Sequence, residues 1–460
     1  MEQVLKQIIS DKLNKLLGDR VSCEESILRE HGTGFSYHDA MPPDLVVYPI
    51  STEEIAAVVD ICARHKVPII PYGAGTSVEG HVLAIRGGVC VDLKQMNRVL
   101  ELNFDDMSAT IQAGVTRNQL DTKLEGTGFF FPIGPGVNAT IGGMAATRAS
   151  GTNAVRYGTM KDNVLSLTVV LSNGQIIKTS GKAKKSSAGY NLTQLFIGSE
   201  GTLGIIAELT IKLHSVPEIT RAAVCSFPSI QAAVNTAIKI IQKGVPIARV
   251  EFLDSLMIRA LNQYSHVDYR EEPTLFLEFN GSHQMVEEQI RTVEKISREF
   301  GTAGFIWEKD EASRKKMWSI RTDAAPAAAA LIPGSHLMST DVCVPISRLA
   351  DCMIETRADV EESGLIAPML GHVGDGNFHL AIPIPPHDQV ALDKAKALNE
   401  RLVRRALAMD GTCTGEHGIG IGKLSYMSLE HGRSLDLMRL IKQAIDPDNI
   451  MNPGKLLPEA

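Results

Sequence analysis

Two histidines around a glycine turn, and a Glu-His pair between further glycines, carry the strongest chemical signal in this chain. The run Leu370-Gly371-His372-Val373-Gly374-Asp375-Gly376-Asn377-Phe378-His379-Leu380 brackets a loop-forming stretch with two imidazoles. If Gly374-Asp375-Gly376-Asn377 is the tight loop of a hairpin, Val373 sits opposite Phe378 and His372 opposite His379, so both rings share one face. Directly opposed Cβ atoms are about 5 Å apart, which lets both rings ligate one metal ion. Two unrelated core histidines beside a loop are the plain alternative. Further on, Gly411-Thr412-Cys413-Thr414-Gly415-Glu416-His417-Gly418-Ile419-Gly420 sets an acid beside an imidazole. The Glu416 carboxylate would complete a two-His, one-carboxylate set with open positions, suited to Zn, Mn or Fe. His417 would then be left to act as a general base. Taken alone, such a pair in a glycine loop reads more readily as structure than as chemistry.

Two glycine-rich stretches in the first half suggest a bound phosphate and a flat ring. Pro71-Tyr72-Gly73-Ala74-Gly75-Thr76-Ser77-Val78-Glu79-Gly80 follows a strand pattern and holds three glycines and two hydroxyl residues. Its backbone N–H groups can bind a pyrophosphate without Lys or Arg. The spacing matches neither the dinucleotide fingerprint nor the P-loop. Phe131-Pro132-Ile133-Gly134-Pro135-Gly136-Val137-Asn138-Ala139-Thr140-Ile141-Gly142-Gly143-Met144-Ala145-Ala146-Thr147-Arg148-Ala149-Ser150-Gly151 is dominated by small residues, which let backbone approach an aromatic ligand closely. Ile197-Gly198-Ser199-Glu200-Gly201-Thr202-Leu203-Gly204-Ile205-Ile206 reads as another close-approach strand.

These pieces need a scaffold, and the pattern supplies one. From Pro43 to Pro217, short β-like runs alternate with helices as in an α/β unit. Ser51-Thr52-Glu53-Glu54 fits a capping box ahead of Ile55, Val58, Val59 and Cys62 at helical spacing. Residues 67–72 read as a strand kept to an edge by its prolines, and residues 88–93, 109–113 and 165–171 as further strands. After Pro217 an α+β pattern takes over, with strands at 222–227, 248–253, 274–279, 305–307 and 342–346. A long helix follows over 394–409, and Ala327 to Ala330 belong to another. The N-terminal segment, with Val4, Ile8, Leu13, Leu16 and Leu17 among charges, reads as an amphipathic surface helix and not as a signal peptide.

Bulk properties narrow the classes. A chain of 460 residues exceeds one ordinary core, so two or three domains are expected. Hydrophobic residues at 44% and charged residues at 22% describe a globular protein. The net charge of −7 carries no basic stripe, which excludes nucleic acid as a natural partner. Seven scattered cysteines, an odd number without paired C-x-x-C spacing, read as reduced thiols in a cytoplasmic protein. No apolar run approaches the roughly 20 residues of a membrane span, so membrane association would be peripheral, at the inner face, or through a partner.

The glycine loops, in this order and spacing, resemble the FAD-binding domain of the vanillyl-alcohol oxidase / p-cresol methylhydroxylase flavoprotein superfamily. The tail Met451-Asn452-Pro453-Gly454-Lys455 resembles that family's return to the flavin, and the second-half motifs are similar to those of D-lactate dehydrogenases and glycolate oxidase flavin subunits. The resemblance implies an α+β fold. It consists of a two-subdomain FAD-binding domain (1–217), an α+β substrate or cap domain with antiparallel sheet and metal site (218–424), and a C-terminal segment (425–460). It implies FAD contacts from Gly73, Ala74, Gly75, Thr76, Ser77 and Gly80 at the pyrophosphate. Pro135, Gly136, Thr140, Gly142, Gly143, Ser150 and Gly151, with Glu200, Gly204, Ile206 and Asn452, would line the rest. Thr76 stands where some relatives attach the flavin covalently, and His81 lies further along, so FAD is expected to be non-covalent.

Met317-Trp318-Ser319-Ile320-Arg321 is similar to the family's W-x-x-R element, whose Arg grips the substrate carboxylate. A surface Arg on a charged helix is its plain alternative. Ser339 stands where D-2-hydroxyglutarate dehydrogenases carry a Lys for a second carboxylate, which favours a monocarboxylate. Ala325 and Pro326 replace aromatics expected in animal D-lactate dehydrogenases, which allows a different or larger side chain. The implied reaction oxidises a small D-2-hydroxy acid to the 2-oxo acid. Arg321 fixes the carboxylate, Asn377 adds a substrate contact, a divalent metal on His372, His379 and Glu416 holds the hydroxyl, and His417 takes its proton as hydride passes to flavin N5.

The acceptor stays open among a quinone, a cytochrome, an electron-transfer flavoprotein and an iron–sulfur subunit, as does the oligomeric state. One alternative is a glycolate oxidase flavin subunit working with an iron–sulfur partner. An alkylglycerone-phosphate synthase has no use for the metal set. A non-catalytic FAD-binding scaffold would need neither the metal set nor His417.

Overall fold

The computed structural model describes residues 1–35 and 37–458. Its chain divides into two units: Met1–Ser150, Tyr157–Val216 and Glu416 onward form unit 1, while Gly151–Arg156 and Pro217–Gly415 form unit 2.

Unit 1 begins with the helix Gln3–Leu17, which buries Ile9, Leu13 and Leu17. Those positions are four apart and make one stripe. Val4, Ile8 and Leu16 lie on its exposed side. The helix Thr52–Arg64 buries Ile55, Val58, Val59 and Cys62, as their spacing requires. Ser51 Oγ accepts the Glu54 N–H at 3.2 Å, but the capping box is only half made. The Glu54 carboxylate accepts the Ile50 N–H and pairs with Arg20 instead.

These helices accompany two sheets. The first has the order Val21–Ser22, Leu45–Val47, Val89–Asp92, Ile69–Tyr72, with parallel pairing among the last three. Ile69–Tyr72 is the edge strand, where Pro71 costs no central ladder bond. The second is antiparallel, in the order Val99–Asn103, Ser108–Gln112, Ile205–Lys212, Val164–Val170, Ile176–Lys178. Val47, Ile69, Val91, Ile111, Val169 and Ile205 belong to one continuous core.

Residues 197–204 are not the strand expected from sequence. The helix Leu192–Phe196 ends there, and pairing starts only at Ile205. Gly198, Glu200 and Gly201 have φ of 82°, 54° and 73°, left-handed values that an extended strand cannot contain. The C-terminal tail docks on the first sheet, where the Asn452 N–H donates to Ile69 O at 2.8 Å. Residues 416–424 join unit 1 because their backbone is hydrogen-bonded there: Ile419 and Gly420 donate to Glu200, and Ile421 donates to Glu79 O.

Unit 2 is built on an antiparallel sheet in the order Phe305–Trp307, Ile219–Ser226, Thr274–Gly281, Arg249–Leu253, Met369–His372, Asn377–Ile384, His336–Ser339, with Val342–Cys343 also paired to Asn377–Ile384. The short strand Val342–Cys343 stops well before Ile346, because Pro345 lacks an N–H for the ladder. Helices Ser255–Ser265, Glu311–Thr322 and Ala324–Ala330 contribute Met257, Leu261, Met317, Ile320 and Ala327 to a core with Val224, Leu253 and Phe276 of the sheet. Phe276 is fully buried and sits edge-on to Tyr269 at 5.6 Å. Phe276→Ala should therefore lower unfolding stability by about 3–5 kcal/mol, read from denaturant titration followed by circular dichroism.

Candidate active site

Strand register lines up polar side chains on one face of the unit 2 sheet. Phe252 pairs with Gly371 and Leu253 with Leu370, which sets Glu251 beside His372. On the next ladder His372 pairs with Asn377 and Leu370 with His379. Alternate residues of a strand point to one side. Glu251, His372, Asn377 and His379 therefore form a polar row within a face otherwise lined by Val224, Leu253, Phe276 and Ala381.

The hairpin differs from its expected form. Its loop is Val373-Gly374-Asp375-Gly376, closed by the Asp375 N–H on His372 O at 3.0 Å, so His372 faces Asn377 and not His379. Gly376 adopts φ 83°, and a Cβ there would lie 2.2 Å from Val344 O, which pins the turn. The register is displaced by two places. An even displacement keeps every side chain on its face, whereas a single step would have sent one imidazole to the other side. The rings remain neighbours, with centroids 5.6 Å apart and nitrogens within 4.8 Å.

Each imidazole is oriented by a partner. His372 Nδ1 lies 2.7 Å from Glu251 Oε1, and His379 Nδ1 lies 3.0 Å from Thr340 O and 3.5 Å from Asp341 Oδ1. With acceptors at both Nδ1 atoms, the neutral rings carry their protons there and present Nε2 lone pairs, the tautomer a metal requires. Glu251 also takes Arg321 NH2 on Oε2 at 2.6 Å. Burial alone would push the Glu251 carboxyl up, but the adjacent His372 and Arg321 hold it below the usual range.

Arg321 is no surface residue. It lies in the helix Glu311–Thr322 at 7% exposure, and its Nε is buried without a hydrogen-bond partner among the described residues. Trp318, one turn earlier, donates Nε1 to Glu278 at 2.6 Å, while the Arg249 guanidinium stacks 4.6 Å above its ring. The W-x-x-R spacing thus plugs two donors of one helix face into two acids on neighbouring strands. Asn377 spends both amide hydrogens, on Asp341 Oδ1 and Val342 O at 2.7 Å each, leaving only its carbonyl oxygen for the expected substrate contact. Ala325 and Pro326 are exposed.

Sequence reasoning missed Glu251 and Asp341. The available signal was Leu253, an apolar residue two places on from Glu251 and so on the same side of a strand whose other side carries Val250 and Phe252.

Unit 1 holds the remaining candidates. A Cβ on Gly73 would lie 2.3 Å from Thr140 Oγ1, so the first and second glycine loops touch. Gly75 and Gly80 turn at φ 67° and 74°. Gly142 and Gly204 meet protein and not an open face: added Cβ atoms would lie 2.5 Å from Ala113 Cβ and 2.8 Å from Val169 Cγ1. Ile206 is buried in its sheet, paired with Val169. A Cβ on Gly143 would meet only the capping Thr140 hydroxyl. Ala74, Thr76, Ser77, Pro135 and Gly136 remain at least partly exposed, Ser150 is buried, and Gly151 begins the first segment of unit 2.

Glu200 and Asn452 have structural partners. Glu200 accepts the Ile419 N–H at 2.7 Å and the Gly420 N–H at 2.8 Å, with His81 Nε2 3.2 Å away. Burial would raise its carboxyl, but His81 and these two N–H groups hold it below the usual range. Asn452 donates to Glu200 O at 2.7 Å and accepts from Lys455 Nζ at 2.8 Å. Glu416 and His417 open the segment that Glu200 holds. Nearby, Ser199 Oγ and His81 Nδ1 are buried without hydrogen-bond partners among the described residues, which suits a polar ligand against these loops.

Residues 43–180 match the FAD binding domain model, and residues 216–456 match the model for the FAD linked oxidases, C-terminal domain. A probable D-lactate dehydrogenase, mitochondrial, of Danio rerio is 50% identical, covering 98% of this chain and 92% of the relative. This chain belongs to the FAD-linked oxidases. The D-lactate dehydrogenase [cytochrome], mitochondrial, of Arabidopsis thaliana is 44% identical over 99% of this chain and 81% of its own length. In three dimensions, p-cresol methylhydroxylase with substrate bound superposes with a TM-score of 0.82 at 17% identity, covering 99% and 97% of the two chains. Fold class and FAD binding agree with the sequence-based expectations.

Glu200→Gln should lower the melting temperature at pH 7 by removing a charge held by His81 and two N–H groups. The depressed native carboxyl contributes fully above its unfolded value of about 4.3, and the contribution fades as pH falls through the lower native value. The deficit against wild type, measured by thermal melts from pH 7 to pH 3, should therefore shrink below about pH 4.3.

Proposed function

We propose that this chain oxidises a small D-2-hydroxy acid of the D-lactate type to its 2-oxo acid, using non-covalent FAD. One observation carries the reading: a single buried carboxylate, Glu251, holds a carboxylate-binding cation on one oxygen and a metal-type imidazole on the other. A 2-hydroxy acid presents its carboxylate and its hydroxyl on adjacent carbons, so it needs two such handles side by side.

Arg321 takes the carboxylate, using donors not committed to Glu251. His372 and His379 are the first two metal ligands. Glu416 is the third, supported by its chain bond to Gly415, whose added Cβ would lie 2.2 Å from Asn377 Nδ2 and 3.2 Å from Asp341 Oδ1. When bound, a Zn, Mn or Fe ion supplies Lewis acidity to the substrate hydroxyl. When bound, FAD supplies the two-electron acceptor. His417 takes the hydroxyl proton as general base. Ser339, whose hydroxyl turns to Thr340 O, offers no cation for a second carboxylate, so a monocarboxylate is preferred.

The electron acceptor we assign is a cytochrome, in line with the name of the Arabidopsis relative. Among the described residues no disulfide joins the seven cysteines, which suits a reducing compartment, and no helix is long and apolar enough to cross a membrane.

Anaerobic addition of D-lactate should bleach the flavin absorbance, with L-lactate far slower. Chelation should slow the bleaching, and His417→Ala should slow it by about 10²–10⁴-fold. Bleaching indifferent to both chelation and His417→Ala would overturn the mechanism.

A further inference from the structure

We propose that Glu251 is a positioning residue that couples the carboxylate grip to the metal site, resting on the roles just assigned to Arg321 and His372. It sits at 1% exposure on the strand Arg249–Leu253, and its two oxygens are divided between the two functions. Oε1 takes His372 Nδ1 at 2.7 Å, which fixes the ring's tautomer and aims Nε2 at a ligand. Oε2 takes Arg321 NH2 at 2.6 Å, while the buried Arg321 Nε has no hydrogen-bond partner among the described residues. One edge of the guanidinium is anchored and another is held ready for an anion.

The surroundings leave the carboxylate little freedom. The strand register places Glu251 across from Phe276 on one side, and the Trp318–Glu278 hydrogen bond at 2.6 Å holds the helix that delivers Arg321. His379 has a separate orienting pair, Thr340 O and Asp341. His372 shares its orienting group with the substrate-binding cation. A change at Glu251 therefore reaches metal affinity and substrate affinity together, although Glu251 touches neither ligand.

The test uses FAD-loaded protein with Glu251→Gln, a substitution that keeps the shape and removes the charge. Zn²⁺ or Mn²⁺ affinity, from chelator competition on metal-stripped protein, should weaken by about 10–100-fold. KM for D-lactate should rise by about tenfold, with a smaller effect on kcat, because a charge-assisted hydrogen bond to the gripping Arg is lost. Glu251→Asp retains the charge but shortens its reach, and should shift both readouts in the same direction by less; it carries the test if Glu251→Gln does not fold. His372→Ala and Arg321→Lys serve as references. If they change metal affinity and KM respectively while both Glu251 variants leave either readout at wild type, the coupling is overturned. If the references themselves change nothing, the roles of His372 and Arg321 fail instead.

Discussion

A carboxylate buried at the centre of the unit 2 sheet face sets the terms for that half of the molecule. Taking Glu251 out of water costs several kcal/mol, and the charge is tolerated only because His372 and Arg321 close on its two oxygens. Removing one partner from such a charge typically costs about 3–5 kcal/mol, so the arrangement is stable only when complete. The same requirement orients a histidine ring and immobilises an arginine, which are the two properties a hydroxy-acid site needs. Stability and preorganisation are here one interaction.

The neighbouring acids follow this logic. Glu278 accepts from Trp318 and lies near Arg249 and Arg314. Asp341, fully buried, accepts from Asn377 and from Thr414. Each is a buried strand or strand-end acid whose oxygens are hydrogen-bonded by donors from other elements. In unit 1, Glu200 does the same for the backbone of Ile419 and Gly420. Both units thus use a buried carboxylate to hold elements distant in sequence.

Much of the scaffold was legible because its signals are local. Helical spacing at Ile55, Val58, Val59 and Cys62 and the prolines beside an edge strand each depend on a few adjacent residues. The glycine loops were legible as loops, but not the duty of each glycine: Gly142 and Gly204 are small where Ala113 and Val169 press against them. Close approach between distant segments looks identical in sequence whatever does the approaching. Glu200 and Asn452, expected beside a cofactor, also clamp backbone, a duty no local pattern could show because those partners lie more than 200 residues away.

By itself the sequence determined that His372 and His379 share a face, since alternation survives any even change of register, and that a W-x-x-R helix carries Trp318 and Arg321 on one side. Tertiary structure alone decided what those side chains meet. The hairpin loop sits one residue earlier than its glycines suggested, which moves the register by two, and Gly376 passes directly under Val344 O. Glu251, unremarked in its strand, became the shared partner of His372 and Arg321 because strand pairing and helix packing place it between them. Periodicity specifies direction along one element. Charge neutralisation in a buried face depends on which elements are brought together, and no local pattern records that.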